Sequence, residues 1–218
     1  MLWTIVVGAG IGSRLGGTPK QFRDLAGTSV IVRAVRAVAT ASDAVVVVAD
    51  PVLAADAGVE VGKDGVVAVV PGGAERSDSV AAGLTVVPSD VDVVAVHDAA
   101  RPLASPALLR RCAEALGDGV DAAVPALPVV DTVKEVDDGG VVVRTLDRDR
   151  LVTVQTPQVF RASVLRAAHA VADTGATDDA ALVETIGATV VVVAGEPGNV
   201  KLTMAEDFVL AGRTLGDA

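Results

Sequence analysis

Residues 2 to 20 read L-W-T-I-V-V-G-A-G-I-G-S-R-L-G-G-T-P-K, and this stretch decides how the rest of the chain is read. Leu2 to Val7 is an apolar run that predicts a buried strand. Gly8 to Lys20 follows with five glycines, one arginine and one lysine. Glycine lets a backbone come close to a ligand and turn its N–H groups toward phosphate oxygens, while Arg14 and Lys20 bring positive charge. Neither standard phosphate pattern is present: G-x-x-x-x-G-K-[ST] is missing, and Ser13 stands where G-x-G-x-x-G needs its third glycine. A tight strand-to-helix connection with incidental basic residues answers the same description, so the loop alone leaves both readings open.

Short β-branched runs recur at Ile5–Val7, Val45–Val48, Val66–Val70, Val91–Val96, Val120–Val124 and Val190–Val193. They are apolar throughout, the mark of strands covered on both faces. Helical stretches separate them, at Val30–Ala39, Ser77–Val86, Pro106–Leu116, Ala162–Ala172 and Ala205–Leu215. Strand and helix in alternation predict an α/β fold, a doubly wound, mostly parallel sheet. The expectation is one domain over residues 1–218. Only Val129 to Thr156 breaks the alternation, with apolar and polar residues alternating around Asp137-Asp138-Gly139-Gly140. That pattern predicts a β-hairpin. A lone two-stranded hairpin is marginal in water, so this one should lean on a second subunit or fold back on its own domain.

Composition narrows the function. The net charge of −10 repels nucleic acid and anionic lipid, and three Phe, one Trp and no Tyr leave little for base stacking. Any anionic small molecule must then be held by locally clustered Arg and Lys. One cysteine forms no internal disulfide, no apolar run approaches the roughly 20 residues of a membrane span, and the chain begins directly on a strand. A cytoplasmic protein with no membrane partner is expected.

In open α/β sheets ligands bind at the carboxyl ends of strands. After the third strand, P-G-G-A-E-R-S-D-S-V offers Gly72 and Gly73 for close approach and Ser77 or Asp78 as a helix cap. After the fourth, H-D-A-A-R-P sets Asp98 and Arg101 at the mouth of the sheet. Asp98 there can hold Mg²⁺ on a polyphosphate, or pair with Arg101 and merely shape the turn. His97 and His169 read as structural, because no nucleophile motif accompanies them and two histidines with one cysteine make no zinc site. The hairpin carries Thr132, Lys134, Arg144, Arg148 and Arg150, which suit an anionic ligand or pair with Asp131, Glu135 and Asp147. Lys201 and Thr203 follow the last strong strand, where a lysine suits a phosphate or simply lies on the surface.

Taken in order, these loops resemble those of the cytidylyltransferases that make 4-diphosphocytidyl-2-C-methyl-D-erythritol from CTP and methylerythritol 4-phosphate. The matching pieces are G-x-G-S-R with P-K-Q, G-G-x-E-R-x-D-S-V, V-H-D-A-A-R-P, D-T-V-K, L-D-R, Q-T-P-Q, T-D-D, and N-V-K-L-T before E-D. The resemblance implies that Arg14 and Lys20 contact the triphosphate and stabilise the transition state. It implies that Gly8, Ala9, Gly73 and Ser79 hold the cytosine, largely through backbone, with Gly10 and Gly12 in the same nucleotide loop. Asp98 and Arg101 match the ribose- and metal-side loop, and Lys201 a lysine near the α-phosphate. The hairpin, residues 129–156, matches an arm that embraces a second subunit in a homodimer. Thr132 and Arg148 match residues that bind the sugar phosphate across that interface, and Thr156, Thr177 and Thr203 line the same pocket. Where the family opens its first loop Pro-Ala-Ala-Gly, this chain has Val7-Gly8-Ala9-Gly10, and the extra glycine predicts a looser loop.

Three rivals remain at this level. A ribitol 5-phosphate cytidylyltransferase would have similar loops, and a non-catalytic nucleotide-binding protein could use the same sheet. An NAD-dependent dehydrogenase would need the third glycine and a ribose-binding acid about 20 residues on, both missing here.

Overall fold

Valine at nearly every position of the central runs dictates the layering, because a strand apolar on both faces needs helices on each side. The runs at Val66–Val70 and Val190–Val193 depart from the expected full cover, with Val67 45% and Val192 54% exposed at the margins of the sheet. The computed structural model describes residues 1–10, 18–171 and 176–216. β1 (Leu2–Val7) leads through a small hairpin, β2 (Asp24–Leu25) and β3 (Thr28–Ser29), into α1 (Val30–Ala39). There follow β4 (Ala44–Val48), α2 (Pro51–Asp56), β5 (Val66–Val70), α3 (Arg76–Leu84), β6 (Val93–Asp98), α4 (Pro106–Glu114) and β7 (Ala122–Pro128). The excursion β8 (Lys134–Val136) and β9 (Val142–Thr145) precedes β10 (Val152–Val154), β11 (Gln158–Arg161) and α5 (Ala162–Val171). The chain ends in α6 (Asp179–Glu184), β12 (Val190–Ala194) and α7 (Ala205–Gly216).

Among the described residues, eight strands form the main sheet. β1 lies between β4 and β6, parallel to both, and β5 continues parallel beyond β4. On the other side β11 runs antiparallel between β6 and β7, and β12 pairs parallel with β7. Simple alternation did not predict β11. No helix carries the chain across the sheet between β7 and β11, so the returning strand must run the opposite way. β10, pairing antiparallel with the end of β7, makes the same return.

Alternate residues of one strand feed the two core layers. Val6, Val45, Val47 and Ala95 pack with Ile31 and Val35 of α1 and Leu109 of α4. Ile5, Val46, Val48, Val94 and Val96 pack on the opposite face with Val80 of α3, Leu165 of α5 and Leu182 of α6. The helix starts have local causes: Ser105 caps α4, its Oγ accepting from the Leu108 N–H at 3.1 Å, and Pro106 fits the first turn because its missing N–H would have no partner there.

The expected hairpin forms as a separate two-stranded sheet. Asp137 shapes its turn, its Oδ1 accepting from the N–H groups of Gly139 at 3.0 Å and Val141 at 2.9 Å, and Gly140 takes the positive φ of 78°. Among the described residues no helix is long and apolar enough to cross a membrane.

Candidate active site at the carboxyl ends of β1 and β6

The strand order reverses at β1, since β4 leads outward on one side and β6 on the other, and such a switch point opens a crevice. Val7 and Asp98 are register partners, and the Ala99 N–H donates to the Val7 carbonyl at 2.9 Å. The loops leaving β1 and β6 therefore start side by side. Between them, among the described residues, lies a cleft of about 540 Å³. Gly8 to Gly10, Lys20 and Gln21 form one wall, Gly73 to Arg76 and Ser79 another, and Asp98 and Lys201 lie in its lining.

Hydrogen bonds from both sides fix the first loop. The Gly8 N–H donates to Val48 O at 2.7 Å, and the buried Gln21 amide donates to Gly8 O at 2.6 Å and Gly10 O at 2.8 Å. The extra glycine at position 8 is thus tied at both its polar groups, which corrects the expectation of a looser loop start. Gln21 sits in a single helical turn, Lys20–Phe22, and that turn sets Lys20 at the cleft. Arg14 and Gly12 lie outside the described residues. In the third-strand loop Ser79 Oγ accepts from the Gly73 N–H at 3.2 Å and donates to Glu75 O at 3.1 Å. The cap of α3 is neither Ser77 nor Asp78 but Glu75; Asp78, three residues into the helix, accepts from the Glu75 N–H at 3.0 Å as the reciprocal half of a capping box.

Asp98 is the electrostatic centre. Its Oδ2 meets Lys201 Nζ at 2.7 Å and its Oδ1 meets Arg76 Nε at 3.3 Å. Burial alone would raise the Asp98 carboxyl, but Arg76 and then Lys201 outweigh it and hold it at about 2. Arg76 in turn donates to Asp179 Oδ2, whose other oxygen lies 3.0 Å from His169 Nε2. Burial works against the Arg76 charge, yet Asp179 and Asp98 raise its pKa. The alternative Asp98–Arg101 pair is replaced by these contacts. Arg101 Nη1 instead donates to Asn199 O at 2.8 Å, joining the fourth-strand loop to the one carrying Lys201.

His97 is fully buried, with burial pushing it down to about 4. Its Nε2 lies 3.0 Å from Arg101 O, which can only accept, so Nε2 carries the proton. Nδ1 then accepts from Thr156 Oγ1 at 3.1 Å, and the same hydroxyl oxygen accepts from the Asp98 N–H at 3.0 Å. Thr156 is therefore turned inward beneath Asp98. Thr203 donates from both N–H and Oγ1 to Asp207 Oδ2, at 2.6 and 2.9 Å, at the start of α7. Thr132, Arg148 and Thr177 are exposed and stand apart from the cleft lining. On the arm Arg144 pairs with Glu135, and Arg148 Nη1 donates to Val130 O.

Arg76 and Gln21 were missed as site residues. Both stand inside matched motifs, G-G-x-E-R and P-K-Q, but those stretches were read for their glycines, caps and lysine. The signal available was a polar side chain at each loop-to-helix junction.

Lys20 and Lys201 meeting beside Asp98 at the switch point of a doubly wound sheet is the arrangement of a nucleotide-handling enzyme, of the nucleotidyltransferase class. The profile of the IspD family, 2-C-methyl-D-erythritol 4-phosphate cytidylyltransferase, matches residues 2–217. A relative of that name from Frankia casuarinae is 49% identical over 210 residues, covering 95% of this chain and 78% of its own. Another, from Rhodococcus jostii, is 48% identical, covering 95% and 92%. The crystal structure of the Thermus thermophilus enzyme of the same name superposes with a TM-score of 0.80 at 34% identity over the whole of both chains. This chain belongs to the 2-C-methyl-D-erythritol 4-phosphate cytidylyltransferase family.

Proposed function

We propose that the protein condenses CTP with 2-C-methyl-D-erythritol 4-phosphate, releasing pyrophosphate, a step of non-mevalonate isoprenoid precursor synthesis. The observation that carries this reading is the convergence of Lys20, Lys201 and Asp98 on one cleft in a chain of this family. A phosphate oxygen of the acceptor attacks the α-phosphorus in line. Both reactants are anions, so the work is to hold them together and to stabilise charge developing on the α-phosphate and the leaving group. Lys20, Lys201 and Arg14 take those roles. Gly8, Ala9, Gly10, Gly12, Gly73 and Ser79 seat the nucleotide, and Arg101 braces the Asp98 loop. The acceptor phosphate is already ionised near neutral pH, its second pKa being about 6, so no general base is required. His97, with both nitrogens engaged inward, and Cys112, whose thiol burial raises to about 12, have no part in this reading.

Mg²⁺ belongs to the same reading. Among the described residues no cluster of three or more acids, histidines or cysteines is placed to hold a metal. A magnesium ion carried on a triphosphate needs only one or two protein carboxylates, and ionised Asp98 fits that requirement through Oδ2 once Lys201, 2.7 Å away, has turned to the phosphates. When bound, the metal supplies charge neutralisation on the phosphates.

The reading extends to a single catalytic domain, residues 1–218, acting as a cytoplasmic homodimer through the arm at 129–156. Thr132, Arg148, Thr156, Thr177 and Thr203 are assigned to the acceptor side, Thr156 through its hold on Asp98. The test is pyrophosphate release from CTP and Mg²⁺ with either methylerythritol 4-phosphate or ribitol 5-phosphate. Release with the first and little with the second is expected. The reverse preference, or CTP binding with no release, would overturn the assignment.

A further inference from the structure

We infer that Arg76 is a positioning residue that acts through Lys201, an inference resting on the cytidylyltransferase reading. Arg76 crosses from the start of α3 to bridge two carboxylates, Asp98 of β6 through Nε and Asp179 of α6 through Nη1. Asp179 is 1% exposed and is held from behind by His169 of α5. The Arg76 side chain thus has one orientation fixed at both ends. Asp98 gives one oxygen to Arg76 and the other to Lys201, so two cations and two carboxylates form a charge-balanced row that ends at the cleft.

This division of Asp98 controls what Lys201 can do. Lys201 is 44% exposed, and its ammonium must pass from Asp98 to an incoming α-phosphate. Asp98 can release it because Arg76 still neutralises the carboxylate. Without a fixed Arg76, Asp98 carries an uncompensated charge in a site only 12% exposed and holds Lys201 back. Arg76 Nη2 is buried with no hydrogen-bond partner among the described residues, which raises the rival role of direct contact with the nucleotide.

A double-mutant cycle separates the two. Arg76→Lys keeps the charge, but one ammonium cannot grip both carboxylates. Its turnover should fall ~10-fold or more, with the KM for methylerythritol phosphate little changed. Combined with Lys201→Ala it should cost at most ~2-fold beyond Lys201→Ala alone, because its effect passes through Lys201. Losses that multiply would mean direct contact and overturn the inference. Full turnover with a lowered melting temperature would mean a purely structural role and also overturn it. Should Arg76→Lys fail to fold, Asp179→Asn, which loosens only the outer anchor, must show the same non-additivity. A wild-type protein that releases no pyrophosphate from CTP and methylerythritol phosphate would remove the function and this role together, whereas multiplying losses remove only the role.

Discussion

Gly72 packs so closely on Ala9 that a Cβ at position 72 would stand 2.1 Å from the Ala9 Cβ, and 2.7 Å from Ser79 Oγ. The first and third loops therefore share a wall whose thickness is set by a missing side chain. Gly72→Ala must drive them apart, and overpacking of this kind costs about 1–3 kcal/mol, or ~5- to 150-fold in affinity if borne by binding. Gly8 offers the contrast: a Cβ there meets Ile31 Cδ1 at 3.1 Å and Ala99 Cβ at 3.2 Å. Ile31 Cδ1 ends a flexible side chain and can yield, and the Ala99 Cβ, which moves only with its backbone, has to give by a few tenths of an ångström. Gly8→Ala should change stability by less than about 1 kcal/mol and leave CTP binding intact. Titration calorimetry with CTP on both variants checks the pair, and wild-type affinity in Gly72→Ala would show that the loops do not share the nucleotide.

Lys20 and Lys201 approach the cleft from opposite ends of the chain, one from the turn after the first loop and one from the segment after β12. Losing one preorganised charge at a developing oxyanion costs roughly 10²-fold in turnover, about 3 kcal/mol. Lys20→Ala and Lys201→Ala should each show this with melting temperatures near wild type, and Arg14→Ala is expected to behave alike. Near-normal pyrophosphate release in a folded variant would remove that residue from the mechanism.

The fold was legible because its signal is redundant. Val45–Val48 is apolar at every position, and only a strand buried on both faces explains that, so the parallel sheet follows from composition and period. β11 was not legible: Q-V-F-R is four residues, too short for a pattern, and its direction depends on the missing crossover helix. The cleft was legible where chemistry is local, as with Lys20 and Asp98. Arg76 was not, because its partners Asp98 and Asp179 lie 22 and 103 residues away and nothing nearby marks them. Thr156 was readable as part of a motif, but its inward aim depends on His97, 59 residues distant.

His97 and Asp98 should each leave a mark on stability below neutral pH. Burial lowers His97 from 6.5 to about 4, so between those values the unfolded chain binds the extra proton and stability falls as pH falls. Asp98 is lowered from 3.8 to about 2 and acts in the next window, its stabilisation present above pH 4 and lost as pH drops through 2. The His97 contribution is on the order of 3 kcal/mol and the Asp98 contribution about 2 kcal/mol. Urea midpoints measured from pH 7 to pH 3 should show the first loss beginning below about pH 6.5. In His97→Gln that first slope should flatten while the acid limb below pH 4 persists; an unchanged slope would place the titration elsewhere.

The arm presents its apolar residues to solvent in the single chain, with Val136 at 53%, Val142 at 54% and Val143 at 60% exposure. Two strands alone bury too little to be stable, so a partner subunit should cover them. Val136 and Val142 are cross-strand partners, and replacing both by serine should raise the dimer dissociation constant measured by sedimentation. If Arg148 serves the partner's cleft, Arg148→Ala should raise the KM for methylerythritol phosphate and leave that for CTP little changed. Mixing it with Lys20→Ala decides whether it acts across the interface. Half of the randomly exchanged dimers then hold one of each chain, and one of their two sites has both residues intact. At low acceptor concentration activity should recover toward about a quarter of wild type. No recovery after verified subunit exchange would mean that Arg148 acts within its own chain, or not at all on the acceptor.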